Sequence, residues 1–181
     1  MTVDIFSLTL LAGLLIVAAI YDLRFQKIPN LLTYPTMAVA FAYNGVTNGL
    51  DGLLFTAEGL GLGIAVFILP YLMGGLGAGD AKLMGAVGAI TGPRGVFIAF
   101  LCAAIVGGAY AVALLAVNRR YLKGFLTRHA TTLKTFVFTG QFIPIPATED
   151  EGKPKLCYGV AIALGTLLSI LLESSGYVFP V

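Results

Sequence analysis

Six apolar runs constrain the fold of this chain more than any other feature of its sequence: 5–21, 31–46, 53–73, 81–91, 96–117 and 156–172. A helix needs about 20 apolar residues to cross the hydrocarbon layer, within a range of roughly 17–25. The first, third, fifth and sixth runs meet that length. The second is marginal and carries Pro35 in its first turn, where proline is tolerated. The fourth is too short alone. It must borrow residues from the glycine-rich stretch before it or be a half-span covered by protein, because lipid offers bare backbone no hydrogen bonds. Gly92-Pro93 predicts a sharp turn between the fourth and fifth runs. The chain is 58% hydrophobic and 11% charged. A soluble domain carries roughly 25% charged residues, so this chain lacks the polar surface to stay in water. The expected fold is all-α: a polytopic membrane protein with about six transmembrane helices in a single domain, 1–181.

The charges sort the loops. Arg24 and Lys27 lie between the first two runs, and Lys82 follows the third. Arg119, Arg120, Lys123, Arg128, Lys134, Lys153 and Lys155 lie between the fifth and sixth. In a six-span alternation these loops share one side, opposite Arg94, Asp4, Asp51, Glu58 and Glu173. The positive-inside rule makes the first set cytoplasmic and places both termini outside. Ten of the eleven Lys and Arg residues obey this one topology, which supports the helix count independently. Met1–Asp4 lacks a basic segment, so the first run is expected to be a retained helix rather than a cleaved signal. A net charge of only +2 gives no broad pull on nucleic acid, and none is expected as a partner.

Residues 118–155 form the one sizeable extramembrane segment, expected to be a cytoplasmic loop. Leu122, Phe125, Leu126, Leu133, Phe136 and Val137 recur there at helical spacing, with Arg120, Lys123, Arg128 and Lys134 mainly between them. Two readings stay open. One is an amphipathic helix lying on the anionic inner leaflet, with membrane lipids as its partner. The other is a solvated loop with scattered apolar residues.

Two acids stand out against this background. Asp22 directly follows the first run, in Tyr21-Asp22-Leu23-Arg24. Asp80 opens the fourth, in Gly77-Ala78-Gly79-Asp80-Ala81-Lys82. The topology places both at the cytoplasmic rim, far apart in sequence but at one depth. Charged side chains beside membrane segments are rare and are candidates for function. A helix-end acid can equally be a cap or an interfacial charge. If the two approach, both cannot readily ionise, and the pair shares a proton. One acid then takes a proton from water while the other donates to a carbonyl oxygen. The glycines remove side chains where a substrate backbone must come close. His129 is the single histidine, and Cys102 and Cys157 are far apart. A Ser/His or Cys/His nucleophile, a zinc site and a disulfide framework are therefore not expected, nor is any cofactor or metal.

At these residues the chain resembles a known family. Gly77-x-Gly79-Asp80 matches the G-x-G-D signature of polytopic aspartic proteases. With Asp22-x5-Ile28-Pro29-Asn30 upstream and Lys82 just after, the chain looks like a prepilin peptidase, or type IV leader peptidase. The likeness runs from roughly Leu14 to Gly165 and includes Tyr158–Gly165, similar to the last helix of these enzymes. The resemblance implies an aspartic-type endopeptidase of the cytoplasmic membrane. Such enzymes remove the short basic leader from prepilins or pseudopilins, typically after a glycine, so that the subunits can enter a pilus or secretion filament. It implies that Asp22 and Asp80 are the catalytic pair. Ile28, Pro29, Asn30 and Lys82 are motif positions of unassigned chemistry, and Gly77 and Gly79 are expected to shape the scissile-bond site. Bifunctional members carry an added cytoplasmic domain, often with paired C-x-x-C, and also N-methylate the product. Here the first loop is only 22–30 and has no cysteine. A peptidase-only form is expected, similar to those serving tight-adherence (Flp) pili or to archaeal preflagellin peptidases. Three alternatives stay open, one of them a structural membrane subunit in which the acids only set topology. Presenilin-like intramembrane proteases share Tyr-Asp and G-x-G-D but generally have more helices. A proton-coupled transporter would use the two acids as a relay.

Overall fold

The computed structural model describes residues 4–72, 76–117 and 157–175. Among these the regular structure is entirely α-helical: α1 (Ile5–Phe25), α2 (Asn30–Leu72), α3 (Ala78–Val117) and α4 (Tyr158–Ser174). The expected amphipathic segment 118–155, and Gly74 and Gly75, lie outside the described residues. The chain divides into two compact units, Met1–Gly107 with Cys157–Val181, and Gly108–Leu156. Of the second, the described part is the last stretch of α3, 108–117. Both acids belong to the first.

The six apolar runs lie on these four elements because two helices are broken by glycine. Gly49 adopts φ 59°, ψ −133° within α2, and Gly92 adopts φ 73°, ψ −178° within α3. Side-chain-bearing residues rarely adopt such angles. The breaks fall between the second and third runs and between the fourth and fifth. At Gly92 space forbids a side chain as well, since an added Cβ would meet the ring of Phe55. Across the Gly49 break, buried Asn44 donates from Nδ2 to Thr56 Oγ1 at 2.8 Å, tying the two halves of α2 together. By length and composition α1, α2 and α3 can each cross a membrane. Helix α4 is a shorter apolar helix of 17 residues.

The short fourth run solves its length problem in both ways open to it. Helix α3 starts at Ala78, so it takes in the end of the glycine stretch. Residues 83–90 are also buried without interruption, with Leu83, Met84 and Val87 in the core. The close cover comes from glycines. A Cβ on Gly59 of α2 would overlap the Gly88 carbonyl of α3, and one on Gly88 would overlap the Gly59 carbonyl. Small residues let helix backbones touch, the usual route to helix association where lipid is as apolar as the side chains. Elsewhere large apolar side chains such as Ile16, Ile20, Leu101 and Leu167 are exposed, as lipid-facing positions require.

Helix α1 buries Ser7, Leu11, Leu14, Leu15, Ala18 and Asp22. That stripe follows the 3.6-residue period, and α1 packs on α2 and α4. The phase that carries Leu14 and Ala18 inward carries Asp22 inward one turn later.

Candidate active site

Three helix ends converge on the two acids. Asp22 sits in the last turn of α1 and is only 6% exposed. Its Oδ2 accepts a hydrogen bond from the Gly159 N–H at 2.7 Å, and the Val160 N–H also donates to the carboxylate. Both amides belong to the first turn of α4, where N–H groups have no partner within the helix and the dipole favours an anion. The carboxylate leaves little room for a side chain at Gly159. A Cβ there would lie 2.9 Å from Asp22 Oδ2 and 3.1 Å from its Cβ and Cγ. Beyond Asp22, α1 ends at Gln26 in the left-handed conformation (φ 51°), with its N–H on the Asp22 carbonyl at 2.9 Å.

Asp80 is the third residue of α3. Its Oδ2 accepts the Gly77 N–H at 3.0 Å, while its own N–H donates to the Gly77 carbonyl at 3.1 Å. An acid at this position reaching back to the residue before the helix is one half of a capping box. The cap role weighed for a helix-end acid is therefore present at Asp80. Asp80 nevertheless lies within electrostatic reach of Asp22 and of Tyr158.

The remaining motif residues bind the two acid-bearing segments together. A Cβ on Gly79 would lie 3.3 Å from Ile28 Cβ and 3.5 Å from its backbone nitrogen. Half-buried Ile28 and Pro29 form the end of the short loop after α1, and Pro29 directly precedes α2. Asn30 opens α2 and accepts from Lys82 Nζ through Oδ1 at 2.9 Å. The same ammonium stands 5.3 Å from the centre of the Tyr34 ring. Ile28-Pro29-Asn30 and Gly79-x-x-Lys82 are thus two halves of one contact.

Two residues on the rim carried no individual assignment in the sequence. Gly159 holds Asp22, and Tyr158 packs edge-on against Phe67, ring centres 5.9 Å apart. Phe67 in turn meets Phe100 at 5.8 Å. A Cβ on Gly107 would lie 2.8 Å from the Tyr158 ring, so α3 makes room for it. The available signal was a tyrosine-glycine pair opening the last apolar run, which shows where a helix can start but not what its amides face. Cys157, just before α4, is half-buried. Burial, with the Asp22 charge nearby, pushes its thiol up, and a thiol kept protonated is a poor nucleophile.

The sequence signature of the type IV leader peptidase family matches residues 9–112, including both acids. The chain belongs to that family. It is also similar to the prepilin leader peptidase/N-methyltransferase of Bacillus subtilis (strain 168), 31% identical over 121 residues, covering 65% of this chain and 48% of that protein. The chain thus spans about half the length of the curated relative it matches. No solved structure matches it. Family membership and the apolar helices together make this a membrane protein. Asp22, the 28–30 loop, Asp80 and Lys82 all fall inside the family match, whereas Tyr158 and Gly159 lie beyond it.

Proposed function

We propose that this chain is a membrane aspartic endopeptidase that removes the basic leader from type IV prepilin-like precursors, of the Flp/Tad kind or related. It acts at the cytoplasmic face of the inner membrane, with Asp22 and Asp80 activating water. One observation carries the reading. Two acids separated by two whole apolar runs are within electrostatic reach of each other, each held by backbone N–H at a helix start. Family membership supports the class of reaction, and the relative's name supports a prepilin substrate.

The chemistry follows from the pair. Two carboxylates that feel each other's charge do not both ionise readily, and the pair works with one proton shared between them. The ionised member takes a proton from water, whose oxygen attacks the scissile carbonyl. The protonated member donates to the carbonyl oxygen. Collapse of the tetrahedral intermediate then delivers a proton to the leaving amine. Gly77 holds the Asp80 carboxylate through its N–H, and Gly79 lets the Ile28 backbone come close beside it, so both glycines shape the surroundings of Asp80. The reading is confined to peptide cleavage, because residues 22–30, expected to be a loop but found to hold the end of α1 and the start of α2, carry no paired cysteines.

The test uses the purified chain in detergent and a peptide with a basic leader, a glycine junction and an apolar helix. Cleavage at the junction is expected without added metal, and both Asp22→Asn and Asp80→Asn are expected to lower it by at least about 10³-fold. Cleavage that survives either substitution would overturn the dyad. Absence of cleavage together with proton flux in liposomes would favour the transporter.

A further inference from the structure

The two acids are held unequally, and Gly159 is the reason. We infer that Gly159 is a positioning residue: through its N–H and its missing side chain it keeps Asp22 as the ionised member of the pair and leaves the shared proton on Asp80. The inference deepens the dyad reading and rests on it for its consequence in catalysis, while the placement of the proton is measurable by itself.

Asp22 is buried, so its charge depends on the groups that replace water. Two backbone N–H groups do so, Gly159 at 2.7 Å and Val160 beside it. Both sit at the positive end of α4, and a carboxylate receiving two such bonds is stabilised in its charged form. Asp80 also lies at a helix start, but among the described residues it receives one backbone N–H, from Gly77 at 3.0 Å. Both therefore feel a favourable helix dipole, and the second amide makes the difference. Since the pair keeps one proton, it resides on the acid with fewer donors. Water then gives its proton to Asp22, and Asp80 donates to the carbonyl oxygen.

The missing side chain matters as much as the N–H. A methyl group at 159 would sit 2.9 Å from Asp22 Oδ2 and 3.1 Å from its Cβ and Cγ. The carboxylate would have to give way by a few tenths of an ångström, which lengthens its bonds to the α4 amides. The contact spans 137 residues, so the end of the chain determines which acid at its beginning serves as base.

Cys157 makes a direct test practicable. A synthetic segment starting at that cysteine can be ligated to the preceding chain, giving the full protein with ¹⁵N at Gly159 or with the Tyr158–Gly159 amide replaced by an ester. The ester removes the N–H and adds no atoms, so it remains informative if Gly159→Ala fails to fold. Without substrate, the Gly159 amide-proton signal is expected to stay constant through neutral pH and to move only on the acid side. A signal that titrates through neutrality would show the proton on Asp22 and overturn the inference. With leader peptide, the ester and Gly159→Ala are expected to lower kcat by about 10²-fold while KM changes by less than about 3-fold, as expected when transition-state stabilisation alone is lost. Gly61→Ala, where an added Cβ meets nothing within 4 Å, is the control and should leave both unchanged. An ester variant with the parent kcat would also overturn the inference. If the parent chain fails to cleave, the peptidase reading falls, and the Gly159 signal still decides where the proton sits.

Discussion

Gly79 lies against the backbone of Ile28: a Cβ added to the glycine would stand 3.3 Å from the Cβ of Ile28. The second glycine of the G-x-G-D motif therefore packs on the first residue of the Ile-Pro-Asn motif. The distance from Asp22 to Ile28 along the chain is short, so this contact helps set the separation of the two acids. Gly79→Ala is expected to push the 26–29 loop by a few tenths of an ångström and to lower kcat by about 10-fold, since small misplacements of catalytic groups are felt strongly. Ile28→Ala added to it should restore part of the rate, measured as cleavage of the leader peptide by both variants.

Asp80 has a structural duty and a proposed chemical one, and two substitutions separate them. Asparagine keeps an oxygen able to accept the Gly77 N–H; alanine does not. Asp80→Asn and Asp80→Ala should both abolish cleavage. Only Asp80→Ala should also lose stability, by about 1 kcal/mol, the usual scale of a lost helix cap. Unfolding in mixed detergent, followed by circular dichroism, reads the difference.

The Lys82–Asn30 bond at 2.9 Å joins α3 to α2 near the site. Its ammonium is partly exposed, so its stability contribution is modest, about 0.5–1 kcal/mol. A double-mutant cycle with Lys82→Met and Asn30→Ala should show the two changes to be non-additive. Additive losses would mean that the bond carries no coupling.

Gly59 and Gly61 are close in the same helix but should respond oppositely to alanine. At Gly59 the added methyl would occupy the place of the Gly88 carbonyl, whereas at Gly61 it meets nothing within 4 Å. Gly59→Ala is expected to destabilise by about 1–3 kcal/mol as the α2–α3 contact opens. Gly61→Ala should be neutral or slightly stabilising, given alanine's better helix propensity. The midpoints of detergent unfolding distinguish them.

Asn44 and Thr56 offer a comparable test at the α2 break. Thr56→Val would leave the buried Asn44 amide without its 2.8 Å partner. The unsatisfied donor should cost about 1–3 kcal/mol, visible as a lower unfolding midpoint with cleavage chemistry intact.

Much of this protein was legible in its sequence because the governing terms are local. Hydropathy and run length specified an all-α membrane protein, since lipid admits few ways of satisfying the backbone. Gly92-Pro93 marked a place where a helix must break, because conformational preference belongs to the residue itself, whereas the break at Gly49 emerged only in the structure. The spacing of Asp22 and Asp80 at run ends, and the motifs around them, pointed to the acids before any coordinate did. Tertiary structure decided the partners. The α1 stripe turns Asp22 inward, but only the packing of α1 on α4 brings Gly159 to its carboxylate from 137 residues away. Likewise Lys82 meets Asn30, and Gly79 meets Ile28, because α2 and α3 approach through glycines whose neighbours lie on another helix. A helix announces its ends in its own residues, whereas what those ends face depends on how several helices pack together.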